Sequence, residues 1–292
     1  MVHSEVPEDA FTASALGTER VGSGVVVGAD GLVLTIGYLI TEASTLWLTT
    51  ADGRVVPGHA LAYDQTTGFG LVLPLGALGV PAIERGSSAA VEVADDVIVI
   101  GHGGLAHSLK AKVIARREFA GYWEYVLDEA LFTAPPHPEW GGTALLGENG
   151  RLLGIGSLLV QEAVSGHSLD ANMFVPIDLL EPVLPDMVRL GRPAGPARPW
   201  LGLYATELRE RLVVNNLAPR GPAHRAGVRL GDQVLEVAGI PVSSLAELFR
   251  RIWSVGPAGS EIPLTLGRGE GTLQVRVRSA DRNDFLLKPR QH

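Results

Sequence analysis

A mainly β fold followed by a small α+β module is predicted by three features of the sequence. Short runs rich in Val, Ile and Leu alternate with Gly-containing turns between about Val21 and Val175. A nine-residue stretch, Gly191-Arg192-Pro193-Ala194-Gly195-Pro196-Ala197-Arg198-Pro199, then interrupts the pattern. A convincing amphipathic helix appears only after it.

The turns are specific. Asp30-Gly31 separates Gly24-Val25-Val26-Val27 from Leu32-Val33-Leu34-Thr35, Asp52-Gly53 separates Leu46-Trp47-Leu48-Thr49 from Val55-Val56, and Asn149-Gly150 separates Ala144-Leu145-Leu146 from Leu152-Leu153-Gly154-Ile155. Asp-Gly and Asn-Gly supply the positive φ that tight hairpins need. The run Pro176 to Leu184 changes to helical spacing and is expected to cap the β region, with Asp178 near the helix N-terminus. Alternating Pro and Gly make 191–199 a semi-extended linker, which divides a domain over 1–190 from one over 200–280, with 281–292 as a tail. Within the second domain, Pro222 to Ala226 reads as a short helix stopped by Gly227. Ser243 to Trp253 reads as a Ser-capped amphipathic helix with apolar residues at 245, 248, 249 and 252, and strands are expected over Ile262–Leu266 and Thr272–Val277.

Composition excludes several classes of function. With 292 residues, 46% hydrophobic and 19% charged, the chain is an ordered globular protein of more than one folding unit. Its formal charge of −8 opposes a phosphate-backbone footprint, so nucleic acid is not expected as a partner. It has no cysteine, hence no disulfide framework, thiolate nucleophile or cysteine-ligated metal. No apolar stretch approaches the roughly 20 residues of a membrane span. The acidic start, Met1 to Asp9, lacks the basic-then-apolar order of a signal peptide, so a soluble cytoplasmic protein is the expectation, or a periplasmic one if a leader has been removed.

The order of several short motifs is similar to that of the HtrA/Deg proteases. Gly22-Ser23-Gly24-Val25-Val26-Val27, Asp30-Gly31-Leu32-Val33-Leu34-Thr35, Ala51-Asp52-Gly53-Arg54, Asp64-Gln65-Thr66-Thr67, Gly141-Gly142 and Phe174-Val175-Pro176-Ile177 resemble their protease domain. Trp200-Leu201-Gly202-Leu203, the run Gly221 to Val234 and Val237-Ala238-Gly239-Ile240-Pro241-Val242 resemble their PDZ domain. The resemblance covers nearly the whole chain. It implies a trypsin-like double β-barrel followed by a PDZ-like domain.

That family's chemistry needs a Ser nucleophile, a His base, an Asp that orients the His, and backbone N–H groups for the oxyanion. The residues at the matching places differ. The His position, beyond Leu34-Thr35-Ile36-Gly37, holds Tyr38, and a phenol with an ordinary pKa of about 10 is a poor base at neutral pH. The Asp position, after Asp64-Gln65-Thr66-Thr67, holds Gly68. The nucleophile turn reads Pro138-Glu139-Trp140-Gly141-Gly142, with Trp140 for the Ser and Pro138 for a glycine whose N–H would face the oxyanion. Of the eight histidines (3, 59, 102, 107, 137, 167, 224, 292), and of Ser157, Ser165 and Ser168, none has nucleophile-elbow or metal-site spacing. No catalytic residue, metal or cofactor is expected. Tyr38 and Trp140 are read as a plug that fills the former cleft.

In the family's PDZ domain a loop of consecutive backbone N–H groups holds a peptide C-terminus, while the peptide pairs as an added strand. The resemblance places that loop at Trp200-Leu201-Gly202-Leu203, starts the accepting strand at Leu203-Tyr204, and puts Leu245, Leu248, Phe249 and Ile252 on the groove side of the helix, unless that face serves the module's own core. A bulky residue at Gly202 or a charge at Leu248 is then expected to block binding with a modest effect on the fold. The function implied is an inactive HtrA-like scaffold or accessory subunit that binds a protein C-terminus or docks a partner. A chaperone-like holdase and an unconventional serine endopeptidase are the alternatives. Assembly with itself, as a trimer through the apolar Ala10-Phe11, or within a larger complex is also expected.

Overall fold

The computed structural model describes residues 1–164, 167–209 and 211–288. Ser165 and His292, noted above, lie outside the described residues, as does the side chain of His167. The chain packs as two compact units. The first comprises Met1–Glu118, Asp128–Ala194 and the segment from Leu286, and the second comprises Phe119–Leu127 and Gly195–Phe285. The change of unit after Ala194 falls inside the Pro/Gly stretch. Phe119–Leu127, which the sequence gives to the first domain, packs with the second.

The first unit begins with seven strands: β1 (Val2–Glu5), β2 (Glu19–Gly22), β3 (Val25–Val26), β4 (Val33–Ile36), β5 (Thr45–Thr49), β6 (Val55–Tyr63) and β7 (Phe69–Pro74). They form one sheet in the order β2-β1-β5-β6-β7-β4-β3, and a single-turn helix α1 (Ala13–Leu16) joins β1 to β2. Leu34 on β4 and Phe69, Leu71 and Val72 on β7 are fully buried. Asp30-Gly31 and Asp52-Gly53 stand at their predicted turns, with Gly31 at φ +87° and Gly53 at φ +85°.

Six further strands, β8 (Asp96–Ile100), β9 (Ser108–Gly121), β10 (Tyr125–Ala134), β11 (Ala144–Leu146), β12 (Leu152–Val164) and β13 (His167–Pro176), close into a barrel in the order β10-β13-β12-β11-β8-β9. Val99, Leu131, Leu145 and Phe174 lie in one buried cluster inside it. Closure removes sheet edges, which is why inward Val/Leu/Phe positions recur on strands distant in sequence.

The helix expected over Pro176–Leu184 is different in the structure. Ile177–Leu179 is one 3-10 turn, and the α-helix, α2, runs from Leu184 to Leu190. Pro182 explains the break, because it has no N–H and its ring opposes a carbonyl four residues earlier. Asp178 caps no helix of its own: its carboxylate accepts the Ala89 N–H at 2.8 Å and the Ser87 hydroxyl at 2.9 Å.

The second unit carries β14 (Leu203–Leu208), β15 (Arg211–Leu217), the short helix α3 (Pro222–Arg225), β16 (Gln233–Val237), β17 (Ile240–Pro241), helix α4 (Leu245–Val255), β18 (Glu261–Arg268) and β19 (Gly271–Arg278). The sheet order is β14-β15-β16-β18-β19, with β17 on β16. The start of α4 matches its sequence signature. The Ser244 hydroxyl accepts the Glu247 N–H, and the Glu247 carboxylate accepts the Ser243 N–H at 2.8 Å. The segment read as a tail is packed in part: Arg282–Phe285 forms a 3-10 turn and Phe285 lies 4.7 Å from the Trp200 ring, centroid to centroid.

Candidate functional site

The structure gathers the three positions matched to a catalytic triad. The Gly37 N–H, adjacent to Tyr38, donates to the Gly68 carbonyl at 2.7 Å, and Tyr38 and Trp140 share a side-chain hydrogen bond. The Tyr38 hydroxyl donates to the Ser157 carbonyl on β12 at 2.9 Å. Burial pushes this phenol well above its ordinary range, and the bond with Trp140 only partly offsets the shift. Such a group stays protonated at neutral pH and cannot accept a proton from a nucleophile.

The turn carrying Trp140 is held by its own backbone. The Thr143 hydroxyl donates to the Trp140 carbonyl at 2.9 Å, the Ser23 N–H donates to the Gly141 carbonyl at 2.7 Å, and the Gly142 N–H donates to the Gly156 carbonyl at 2.8 Å. Gly142 is required here: it has φ +77° and a Cβ would lie 2.0 Å from the Ser23 carbonyl oxygen. Pro138 contributes no N–H to this turn.

His137, beside this turn, is a structural residue. Its Nδ1 accepts the Glu139 N–H at 3.1 Å, so the ring proton sits on Nε2, which donates to the His107 carbonyl at 3.0 Å. Its own backbone N–H donates to Asn172 Oδ1 at 2.6 Å. Both ring nitrogens are therefore engaged, and neither is available as a base. Among the described residues no group of three or more His, Asp or Glu is arranged to hold a metal ion.

A buried ion network fixes the segment that bears Tyr38. Arg20 donates to the carbonyls of Tyr38 at 2.8 Å and Thr41 at 3.0 Å, and to the Thr12 hydroxyl at 2.8 Å. Glu42, at φ +64°, accepts the N–H groups of Phe11, Thr12 and Leu287 and the Thr12 hydroxyl. Ala10, expected at an assembly interface, instead packs with Val6, Ala13 and Ala43 in the chain's own interior.

In the second unit the predicted carboxylate loop is already filled. Leu201 donates to the two carboxylate oxygens of Glu124 at 3.1 and 3.3 Å, Gly202 donates to one of them at 2.8 Å, and Leu203 to the same one at 3.3 Å. Glu124 sits at the β9–β10 turn, is 5% exposed and has φ +62°. Trp200 is anchored by a bridge to Ala280, and the Tyr204 ring meets Tyr122 edge-on at 6.2 Å. Leu245, Leu248, Phe249 and Ile252, read as groove residues, are all buried in one cluster that also holds Val126. The Leu245 N–H is in addition bound by Glu207 of β14 at 2.6 Å.

This packing reverses the expectation for Gly202 and Leu248. Gly202 has φ +65°, and a Cβ there would lie 2.7 Å from that of Ala218 and 2.9 Å from the Trp200 ring, so Gly202→Val strains the fold before it meets a ligand. Leu248 is fully buried, and a charge there disrupts the core. Glu124 itself carries no sequence motif. Its only local signal is an acid set among aromatics, Tyr122-Trp123-Glu124-Tyr125, and its partners lie 77 to 79 residues away.

Burial pushes the Glu124 carboxyl up from its ordinary 4.5 to about 7, while the three N–H donors and the nearby charge of Arg282 pull it back. A folded-state pKa above the unfolded one gives stability that is fully present below about pH 4.5 and lost as the pH rises through about 7. The melting-temperature advantage of the unaltered chain over Glu124→Gln is therefore expected to shrink from about pH 5 to about pH 8. A constant or growing difference counts against it.

The sequence matches the descriptions "Trypsin-like peptidase domain" over residues 22–155 and "PDZ domain" over residues 199–278. It is 26% identical over 276 residues to the periplasmic serine endoprotease DegP of Escherichia coli K12, covering 88% of this chain and 56% of DegP. It is 25% identical over 272 residues to the serine endoprotease DegS of Haemophilus influenzae, covering 90% of this chain and 77% of DegS. The chain is a trypsin-like peptidase domain followed by a PDZ domain, homologous to the DegP and DegS HtrA proteases. Among solved structures, the HtrA-type protease AlgW with a decapeptide superposes with a TM-score of 0.57 at 21% identity, covering 92% of this chain and 83% of AlgW. This HtrA-like chain spans about half the length of the DegP proteins it matches. No helix among its described residues is long and apolar enough to cross a membrane.

Proposed function

We propose that this chain is a non-cleaving HtrA homologue that acts as a scaffold or accessory subunit, and that its PDZ domain binds the C-terminal carboxylate of another polypeptide. The observation that carries the first part is the Tyr38 hydroxyl. It is committed as a donor to Ser157 and adjoins Trp140, at the places where the resemblance puts a base and a nucleophile. The row of N–H groups at Leu201, Gly202 and Leu203 supports the second part, because it binds a carboxylate in the structure itself. A periplasmic location is proposed with it. The cytoplasmic expectation has no support among the relatives, since DegP is described as periplasmic.

The test is digestion of casein by the unaltered chain at micromolar concentration. No cleavage is expected, and a Trp140→Ala variant should behave identically. Reproducible cleavage that disappears with that substitution overturns the reading.

A further inference from the structure

The Glu124 side chain presents to the carboxylate loop the same chemistry as a chain end: two oxygens on three successive backbone N–H groups. The mimicry extends past the carboxylate. A bound peptide also places an apolar side chain beside the PDZ helix, and Val126, two residues beyond Glu124, is buried in the cluster that contains Leu245, Leu248, Phe249 and Ile252 of α4. The tip is braced as a unit. The Trp123 and Tyr125 rings stack at 5.6 Å and Tyr122 meets Tyr204, while Glu124 holds a left-handed backbone conformation that non-glycine residues seldom adopt. Such a conformation persists where the surroundings determine it. Here the determinant is the capture of the carboxylate.

We propose that the β9–β10 tip, residues 121–126, is an internal ligand of the PDZ domain, so that a foreign C-terminus reaches the loop only by displacing Glu124. The inference rests on the reading that this loop accepts a chain-end carboxylate. Its consequence is a threshold for binding. An occupant on the same chain competes at high effective concentration and lowers apparent affinity by the fraction of time the loop stands open. Glu124 faces Arg282, Tyr204 and Tyr122, and the Arg282 charge also attracts an incoming carboxylate.

The experiment titrates the unaltered chain and its Glu124→Gly variant with a fluorescent peptide ending in Val, as free acid and as amide, and follows amide hydrogen exchange at 201–203. Glycine accepts the left-handed backbone. Glu124→Ala is the second variant if that one does not fold. The expected result is free-acid binding at least about tenfold tighter in the variant, no such gain for the amide, and faster exchange at Gly202 and Leu203. Equal free-acid affinity in both proteins, with the amide weaker, keeps the peptide-binding reading and overturns the internal ligand. If neither protein binds either peptide, the peptide-binding reading fails. The exchange then decides occupancy: amides that lose protection in the variant support it, and unchanged protection overturns it. In the unaltered chain, saturating peptide should also raise exchange over 121–126, and binding without that rise overturns the proposal.

Discussion

Casein is expected to remain uncut by a chain in which Tyr38→His, Gly68→Asp and Trp140→Ser are introduced together. The positions are geometrically receptive. Gly68 has φ +85°, a region that Asp tolerates better than most residues, and Tyr38 and Trp140 already touch. What stays missing is an oxyanion donor, because Pro138, at the place of a glycine whose N–H would face the oxyanion, offers no N–H. Loss of one oxyanion donor costs roughly a hundred- to a thousand-fold in kcat, so the triple variant should lie about that far below a quadruple variant that adds Pro138→Gly. Equal turnover by the triple and quadruple variants would show that the proline does not limit the turn.

Removal of the Glu42 carboxylate should have the largest effect on stability. Glu42→Ala leaves the Arg20 guanidinium, in a residue 4% exposed, without its countercharge and strips acceptors from the N–H groups of Phe11, Thr12 and Leu287. Arg20 and Glu42 are joined through the Thr12 hydroxyl, and leaving a buried charge uncompensated costs about 3–5 kcal/mol because that charge stays desolvated. At roughly 2–4 °C per kcal/mol for a unit of this size, the melting transition should fall by about 6–20 °C. Glu42→Gln, which keeps an acceptor, should lose less. A shift under about 2 °C for Glu42→Ala would mean that water replaces the carboxylate and that the network does not hold the Tyr38 segment.

The two glutamates show where sequence reading ended. Both are buried at positive φ and bind rows of backbone N–H groups supplied by segments remote in sequence. No local pattern marks such a residue, since its cost and its compensation lie in different parts of the chain. The same holds for Leu245, Leu248, Phe249 and Ile252. Helical spacing puts them on one face, but only packing decided that the face is filled, with Val126 among its neighbours.

What the sequence determined by itself is everything set within a few residues. The Asp-Gly and Asn-Gly hairpins, the Ser244 cap of α4, the Pro/Gly stretch after Ala194 and the identities at 38, 68, 138 and 140 all follow from local backbone preference and side-chain chemistry. Tertiary structure alone decided that Phe119–Leu127 packs with the second unit, and that a side-chain carboxylate stands where a peptide end was expected. The physical reason is that φ preferences and capping are short-range. Which carboxylate reaches a row of N–H groups depends on strands that pair only after the whole chain has folded.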